Sequence, residues 1–94
     1  MRELPELNPV IHGKLRLALL SLLAGVDEAE FTWLRARTGS TDGNLGAQLM
    51  KLEEAGYVAV TKTYRGKVPQ TLLCLTGAGR KAFGQYRKDV KQAL

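Results

Sequence analysis

Thr41-Asp42-Gly43-Asn44-Leu45-Gly46-Ala47-Gln48-Leu49-Met50-Lys51-Leu52-Glu53-Glu54-Ala55-Gly56-Tyr57-Val58 is the stretch on which the reading of this chain turns. Leu45, Leu49 and Leu52 recur at spacings of four and three, so at about 100° per residue they share one narrow arc of a helix. That arc must face a core. Asn44, Ala47, Gln48 and Lys51 fall together on the opposite side. Thr41 is the better of two N-cap candidates in the Ser40-Thr41 corner, Asp42 sits well against the positive end of the dipole, and Gly56 is a natural stop. A helix over 42–55 is predicted.

The outer face of this helix carries amide and amine side chains with a small residue between them. Gln and Asn can bond bidentately to adenine edges, Lys can reach guanine or phosphate, and Ala leaves room for close approach or a thymine methyl. Gly43 and Gly46 are poor helix formers, easier to explain if something must approach the backbone closely. Any globular protein has a polar surface helix, so this face alone decides little.

What decides more is the order of the elements. Upstream, Glu30-Phe31 reads as a short extended piece, and Thr32 is placed to cap a brief helix over 33–38 that Gly39 ends. A short helix, a tight turn and then a helix with a polar outer face is helix-turn-helix order. Further upstream, Asn8-Pro9 has the form of a helix opening, an N-cap followed by a proline at the first helical position. That first helix is expected over 8–24, with Gly25 as its stop. Its apolar stripe is Ile11, Leu15, Ala18, Leu19, Leu22 and Leu23. Leu17 and Leu20 lie outside the stripe, which points to burial against a second chain. Residues 1–7 read as a loose arm.

Downstream, 57–64 alternates as a strand, Arg65-Gly66-Lys67 is the turn, and Pro69 weakens the start of a return strand over 70–75. The tip, from Lys62 through Tyr64, Arg65 and Lys67, interleaves bases with an aromatic, a pattern suited to a phosphate backbone or a narrow minor groove. Surface lysines that discourage edge pairing are the plainer account of the same residues. Thr76 then caps a last helix over 76–94 with Ala82, Phe83, Tyr86 and Val90 on one stripe.

Charge agrees with this reading. The chain has 94 residues and a net charge of +5. Its first thirty residues balance at −2 and the remainder at +7, with seven bases and no acid between Glu54 and Asp89. Bases concentrated in this way usually meet a polyanion. A hydrophobic fraction of 45% and a charged fraction of 24% describe an ordinary globular domain. The longest apolar run, over 15–26, is interrupted by Arg16 and is short of the roughly 20 residues a bilayer needs. With no secretory signal visible, a cytoplasmic protein without membrane contact is expected.

Other chemistry finds little support. His12 is the sole histidine and Cys74 the sole cysteine, so neither has the companions that a metal, a disulfide or a catalytic site requires. Cys74 sits among leucines as a small hydrophobe. Trp33 reads as packing, and Asp27, Glu28 and Glu30 read as solvent-facing loop. No enzyme, cofactor or metal is expected, and no residue pattern calls for a small-molecule effector.

The run Asn44 to Val58, with leucines at four then three, Glu directly after and then Gly-Tyr-Val, resembles winged helix-turn-helix transcriptional regulators. Leu75-Thr76 followed by Gly79-Arg80 resembles the signature that opens the helix after the wing. The likeness, nearly the whole chain from Asn8, is to small MarR-like regulators. Gly77-Ala78-Gly79 departs from the pattern by softening the start of the last helix, and the ligand-binding extensions of larger members are missing. The resemblance implies one mostly helical α+β domain over 1–94 that binds double-stranded DNA as a homodimer joined by its first and last helices.

On that reading Asn44, Ala47, Gln48 and Lys51 enter the major groove, with Thr41 and Gly43 near the backbone. Lys62, Tyr64, Arg65 and Lys67 serve from the wing, and Arg35 and Thr38 are weaker phosphate candidates. Leu17, Leu20, Phe83, Tyr86 and Val90 form the dimer interface. Two rivals share the fold: a protein–protein interaction module, which the wing bases oppose because interface cores are depleted in Lys, and a non-specific architectural binder of nucleic acid.

Overall fold

The computed structural model describes residues 5–94. Residues 1–4 of the expected arm lie outside the described residues. The elements are α1 (Lys14–Ala24), β1 (Ala29–Glu30), α2 (Phe31–Thr38), α3 (Asp42–Glu54), β2 (Val58–Arg65), β3 (Val68–Leu75) and α4 (Gly77–Ala93). The three strands form one antiparallel sheet in the order β1-β3-β2. No helix among the described residues is long and apolar enough to cross a membrane.

The first helix is shorter than its sequence pattern predicts. Asn8 does accept from the backbone N–H groups of Val10 and Ile11 through Oδ1, at 2.9 and 3.4 Å. The turn it caps closes after one hydrogen bond, His12 N–H to the Asn8 carbonyl. Gly13 is extended, at φ −146° and ψ 138°, and breaks the helix before α1 starts at Lys14. Asn8 therefore caps a separate turn, and its Nδ2 donates to the Tyr57 hydroxyl at 2.9 Å, tying that turn to the start of the hairpin. Leu7, placed in the loose arm by sequence, packs against the core.

Local capping elsewhere follows the side chains expected. Thr41 accepts from Asn44 N–H at 3.2 Å and Thr76 from Gly79 N–H at 2.9 Å. Gly39 and Gly56 take φ of 67° and 80° at the ends of α2 and α3, which a residue with a Cβ adopts only under strain. Thr32 does not cap α2. It sits inside the first turn of α2, which starts at Phe31 with Glu30 as N-cap and no side-chain cap bond.

The hairpin is also longer than predicted. Arg65 pairs with Val68 around a two-residue turn, and Pro69 pairs with Tyr64 within the ladder. Arg65 and Val68, flanking such a turn, form a hydrogen-bonded pair, so Tyr64 and Pro69 form the following non-hydrogen-bonded pair. The missing N–H of Pro69 is not required there. Gly66 at φ 64°, followed by Lys67 at negative φ, has the pattern of a type II′ turn, whose twist suits a tight hairpin.

The core gathers one side of every helix. Ile11, Leu19, Leu20, Leu23, Leu34, Leu45, Leu52 and Leu73 are all under 2% exposed. Each such side chain stabilises the fold by about 1.5–3 kcal/mol relative to exposure. Leu20, assigned from sequence to a second chain, belongs here, because α2, α3 and the sheet enclose α1 over a wider arc than a single stripe. Gly79 is buried where α4 meets the hairpin, and a Cβ there would overlap the Tyr57 carbonyl. The glycines that open α4 thus have different reasons: Gly77 has open space around it, whereas Gly79 permits close packing.

Candidate nucleic-acid interface

α3 turns its leucines inward and leaves Thr41, Gly43, Asn44, Ala47 and Lys51 exposed. Beyond its own helical turn, nothing lies within 4 Å of a Cβ placed on Gly43 or Gly46, so packing against the rest of the chain does not require glycine there. Met50 is 59% exposed on the flank of this face. Sequence reasoning passed over it, although one step beyond Leu49 rotates about 100° off the leucine arc and could have revealed it. A thioether there can pack against thymine methyls or sugars.

Gln48 differs from its neighbours. It is half-buried rather than free. Arg16 on α1 donates through Nη1 to Gln48 Oε1 at 2.5 Å, and Gln48 Nε2 lies 3.4 Å from Asn44 Oδ1. The same guanidinium donates to the carbonyls of Val10 at 2.5 Å and Pro9 at 3.4 Å. Arg16 therefore links the N-terminal turn, α1 and α3. The sequence showed it only as an interruption of an apolar helix.

The wing divides its candidates between two faces. Lys62 and Tyr64 lie on one face, opposite Thr71 and Pro69, whereas Arg65 and Val68 share the other with Thr63 and Gln70. Lys67 occupies the turn. Lys62, Tyr64, Arg65 and Lys67 are all exposed, as is Val68 at 66%. Arg65 Nη1 is 4.0 Å from Glu30 Oε1 with 81% of its side chain exposed, too open a pair to hold it back from a phosphate. Glu30 is not the solvent-facing loop residue expected, since it is half-buried in β1 and accepts from Gln70 Nε2 at 2.6 Å. Asp27 and Glu28 are exposed.

The α2 candidates are committed within the chain. Arg35 pairs with Asp42 at 2.6 Å. The Thr38 hydroxyl donates to the Leu34 carbonyl at 2.8 Å and lies 2.7 Å from Ser40 Oγ. Arg37, on the same helix, stacks its guanidinium 4.9 Å from the centroid of Trp33, which packs partly on the core.

Between α1 and α4, Leu17, Phe83, Tyr86, Val90 and Leu94 line a groove of about 610 Å³ together with Arg87, Lys88 and Lys91. Leu17, Phe83 and Val90 are half-buried, and Leu94 is 98% exposed. Tyr86 is only 5% exposed and its hydroxyl lies 2.8 Å from His12 Nδ1. Cys74 is half-buried on the sheet face away from Val58 and Leu73, less enclosed than a core cysteine. Among the described residues no cluster of His, Cys, Asp or Glu could hold a metal ion.

Known proteins share this geometry. The family model described as a winged helix DNA-binding domain matches residues 15–94. A curated but uncharacterised protein of Methanocaldococcus jannaschii is 37% identical over 84 residues, spanning 88% of this chain and 90% of that one. The structure of a transcriptional regulator homologue from Pyrococcus horikoshii OT3 superposes with a TM-score of 0.84 at 23% identity, covering 89% of this chain and 83% of that one. A MarR-family structure from Porphyromonas gingivalis W83 has a TM-score of 0.73 at 16% identity, with 96% and 94% covered. The helices and three-stranded sheet are thus those of a winged helix DNA-binding domain, and the likeness to these solved structures is one of fold.

Proposed function

The chain belongs to the winged helix DNA-binding domain family, and on that premise we propose that it is a sequence-specific transcriptional regulator that binds double-stranded DNA as a homodimer in the cytoplasm. α3 lies in the major groove, where Asn44, Gln48 and Lys51 meet base edges and Ala47 permits close approach. Thr41 and Gly43 pass near the backbone. Lys62, Tyr64, Arg65 and Lys67 carry the wing onto phosphates or into the minor groove, and Arg35 lends a nearby positive charge while bonded to Asp42.

The observation that supports this most is the conjunction of an exposed amide and amine face on α3 with an exposed basic hairpin directly after it. Non-specific affinity would come from the wing and specificity from the helix, because phosphate contacts position while base contacts select.

The α1–α4 groove supports the dimer. Leu17, Phe83 and Val90, with Leu94 beyond them, leave apolar surface that the chain does not cover. A second copy across a two-fold axis would bury it and present two α3 helices to half-sites about 34–36 Å apart. Selection of bound sequences from random duplexes tests the proposal. A palindromic winner with half-sites one helical turn apart is expected. Recovery of unrelated sequences would make the chain an architectural binder instead.

A further inference from the structure

We propose that Arg16 is a specificity-determining positioning residue, which turns the Gln48 amide so that its oxygen faces Arg16, its N–H donors are left for the groove, and guanine is selected over adenine. This rests on the reading of α3 as the helix in the major groove.

A guanidinium has donors and no acceptor. Whatever amide atom faces Arg16 Nη1 at 2.5 Å must therefore be the oxygen of Gln48. The amide nitrogen is then turned toward Asn44, whose Oδ1 lies 3.4 Å away. One polarity runs through the relay, from Arg16 to Gln48 to Asn44. Each amide oxygen already accepts one bond and faces along the relay, and what remains wholly free is the second N–H of Gln48 and the two N–H bonds of Asn44. Lys51, exposed one turn on, adds further donors.

Bidentate recognition of adenine by Gln or Asn needs the opposite arrangement, an amide oxygen accepting from N6 while the nitrogen donates to N7. With its oxygen held by Arg16, Gln48 would set an N–H against the N6 amino group. Guanine shows N7 and O6, both acceptors, and matches the N–H donors that the relay leaves free. Cytosine offers a donor at N4 and is disfavoured like adenine.

Arg16 is well placed to hold this setting. Its Nε and Nη2 bond the Val10 and Pro9 carbonyls. Gly13 leaves room for the guanidinium, because a Cβ at Gly13 would come within 2.7 Å of Nη2. The head group is thus anchored at three oxygens, whereas an exposed Gln would choose its own orientation.

The test is base selection from random duplexes by the full chain and by Arg16→Met, which keeps the stem and removes the donors. The wild-type chain is expected to select guanine at the position contacted by Gln48, and 7-deazaguanine there should weaken binding about tenfold. Arg16→Met is expected to move that preference toward adenine while other positions hold. Gln48→Glu, which keeps a bond to Arg16 and loses the free N–H, serves if Arg16→Met does not fold; it is expected to lose the guanine preference at that position alone. Selection of adenine by the wild-type chain, or a guanine preference unchanged in the variant that folds, overturns the relay but leaves the regulator standing. Failure of the wild-type chain to bind any duplex defeats the regulator reading instead.

Discussion

Arg35 Nη1 lies 2.6 Å from Asp42 Oδ1, and this ion pair spans the corner between α2 and α3. It places a base and an acid together where the backbone of DNA would pass. With 44% and 67% of the two side chains exposed, the pair contributes roughly 0–1 kcal/mol to stability. On the proposed reading its larger consequence is electrostatic, because Asp42 occupies Arg35 and would oppose phosphate.

Asp42→Asn should therefore tighten binding to any duplex severalfold and steepen the dependence of log affinity on log salt by about one per protomer, about two for a dimer, as Arg35 becomes free. Folding stability should fall by no more than about 1 kcal/mol, since the dipole interaction at the start of α3 is partly lost. Anisotropy titrations at several salt concentrations measure the slope. An unchanged slope would show that Arg35 does not reach phosphate.

The wild-type chain should itself depend steeply on salt. If a dimer neutralises roughly 6–10 phosphates, affinity should fall by about 10³–10⁵ between about 50 and 200 mM salt. Lys67→Ala should weaken preferred and scrambled duplexes alike and lower the slope by about one for each phosphate no longer neutralised, because a turn lysine acts as a point charge. A loss confined to the preferred sequence would instead give Lys67 a role in base readout.

Gly77 and Gly79, at the start of α4, should respond in opposite directions to alanine. Gly77 has open space, with no neighbour within 4 Å of where a Cβ would sit, so Gly77→Ala should stabilise by about 0.4–1 kcal/mol. Gly79 abuts the Tyr57 carbonyl, which also accepts from Thr76 N–H at 3.0 Å. Gly79→Ala should destabilise by about 1–3 kcal/mol through overpacking. Urea denaturation of both variants decides the matter, and equal shifts would contradict the close approach of α4 to the hairpin.

Leu17 and Leu20 should separate association from folding. Leu20 is fully enclosed within one chain, so Leu20→Ala should cost about 2–5 kcal/mol. Leu17 lines the open groove beside Arg87 and Lys88, so Leu17→Lys should leave the helical signal intact and repel a second copy. Sedimentation at micromolar protein should give twice the monomer mass for the wild-type chain and the monomer mass for Leu17→Lys. A monomeric wild-type chain would remove the basis for a palindromic site.

Much of the fold was legible in the residues because its signals are local. Thr41 and Thr76 cap the helices they precede, and Gly39 and Gly56 end helices by taking positive φ. The leucine spacing of α3 names its buried side directly. Errors arose where a local signal had a competing continuation. Asn8-Pro9 opened a turn that Gly13 broke, and Pro69 joined a strand because its ladder position needs no N–H.

The sequence by itself determined the order of elements, the polar face of α3 and the basic hairpin, because caps, turns and periodicity depend on residues a few positions apart. Only the tertiary structure decided which apolar residues of α1 remain for another surface, since Leu20 and Leu17 look alike until α2, α3 and the sheet enclose one of them. It alone also decided the state of Gln48. Arg16 lies 32 residues away in sequence, and the hydrogen bond between amide and guanidinium forms only once two helices pack and bring the groups together.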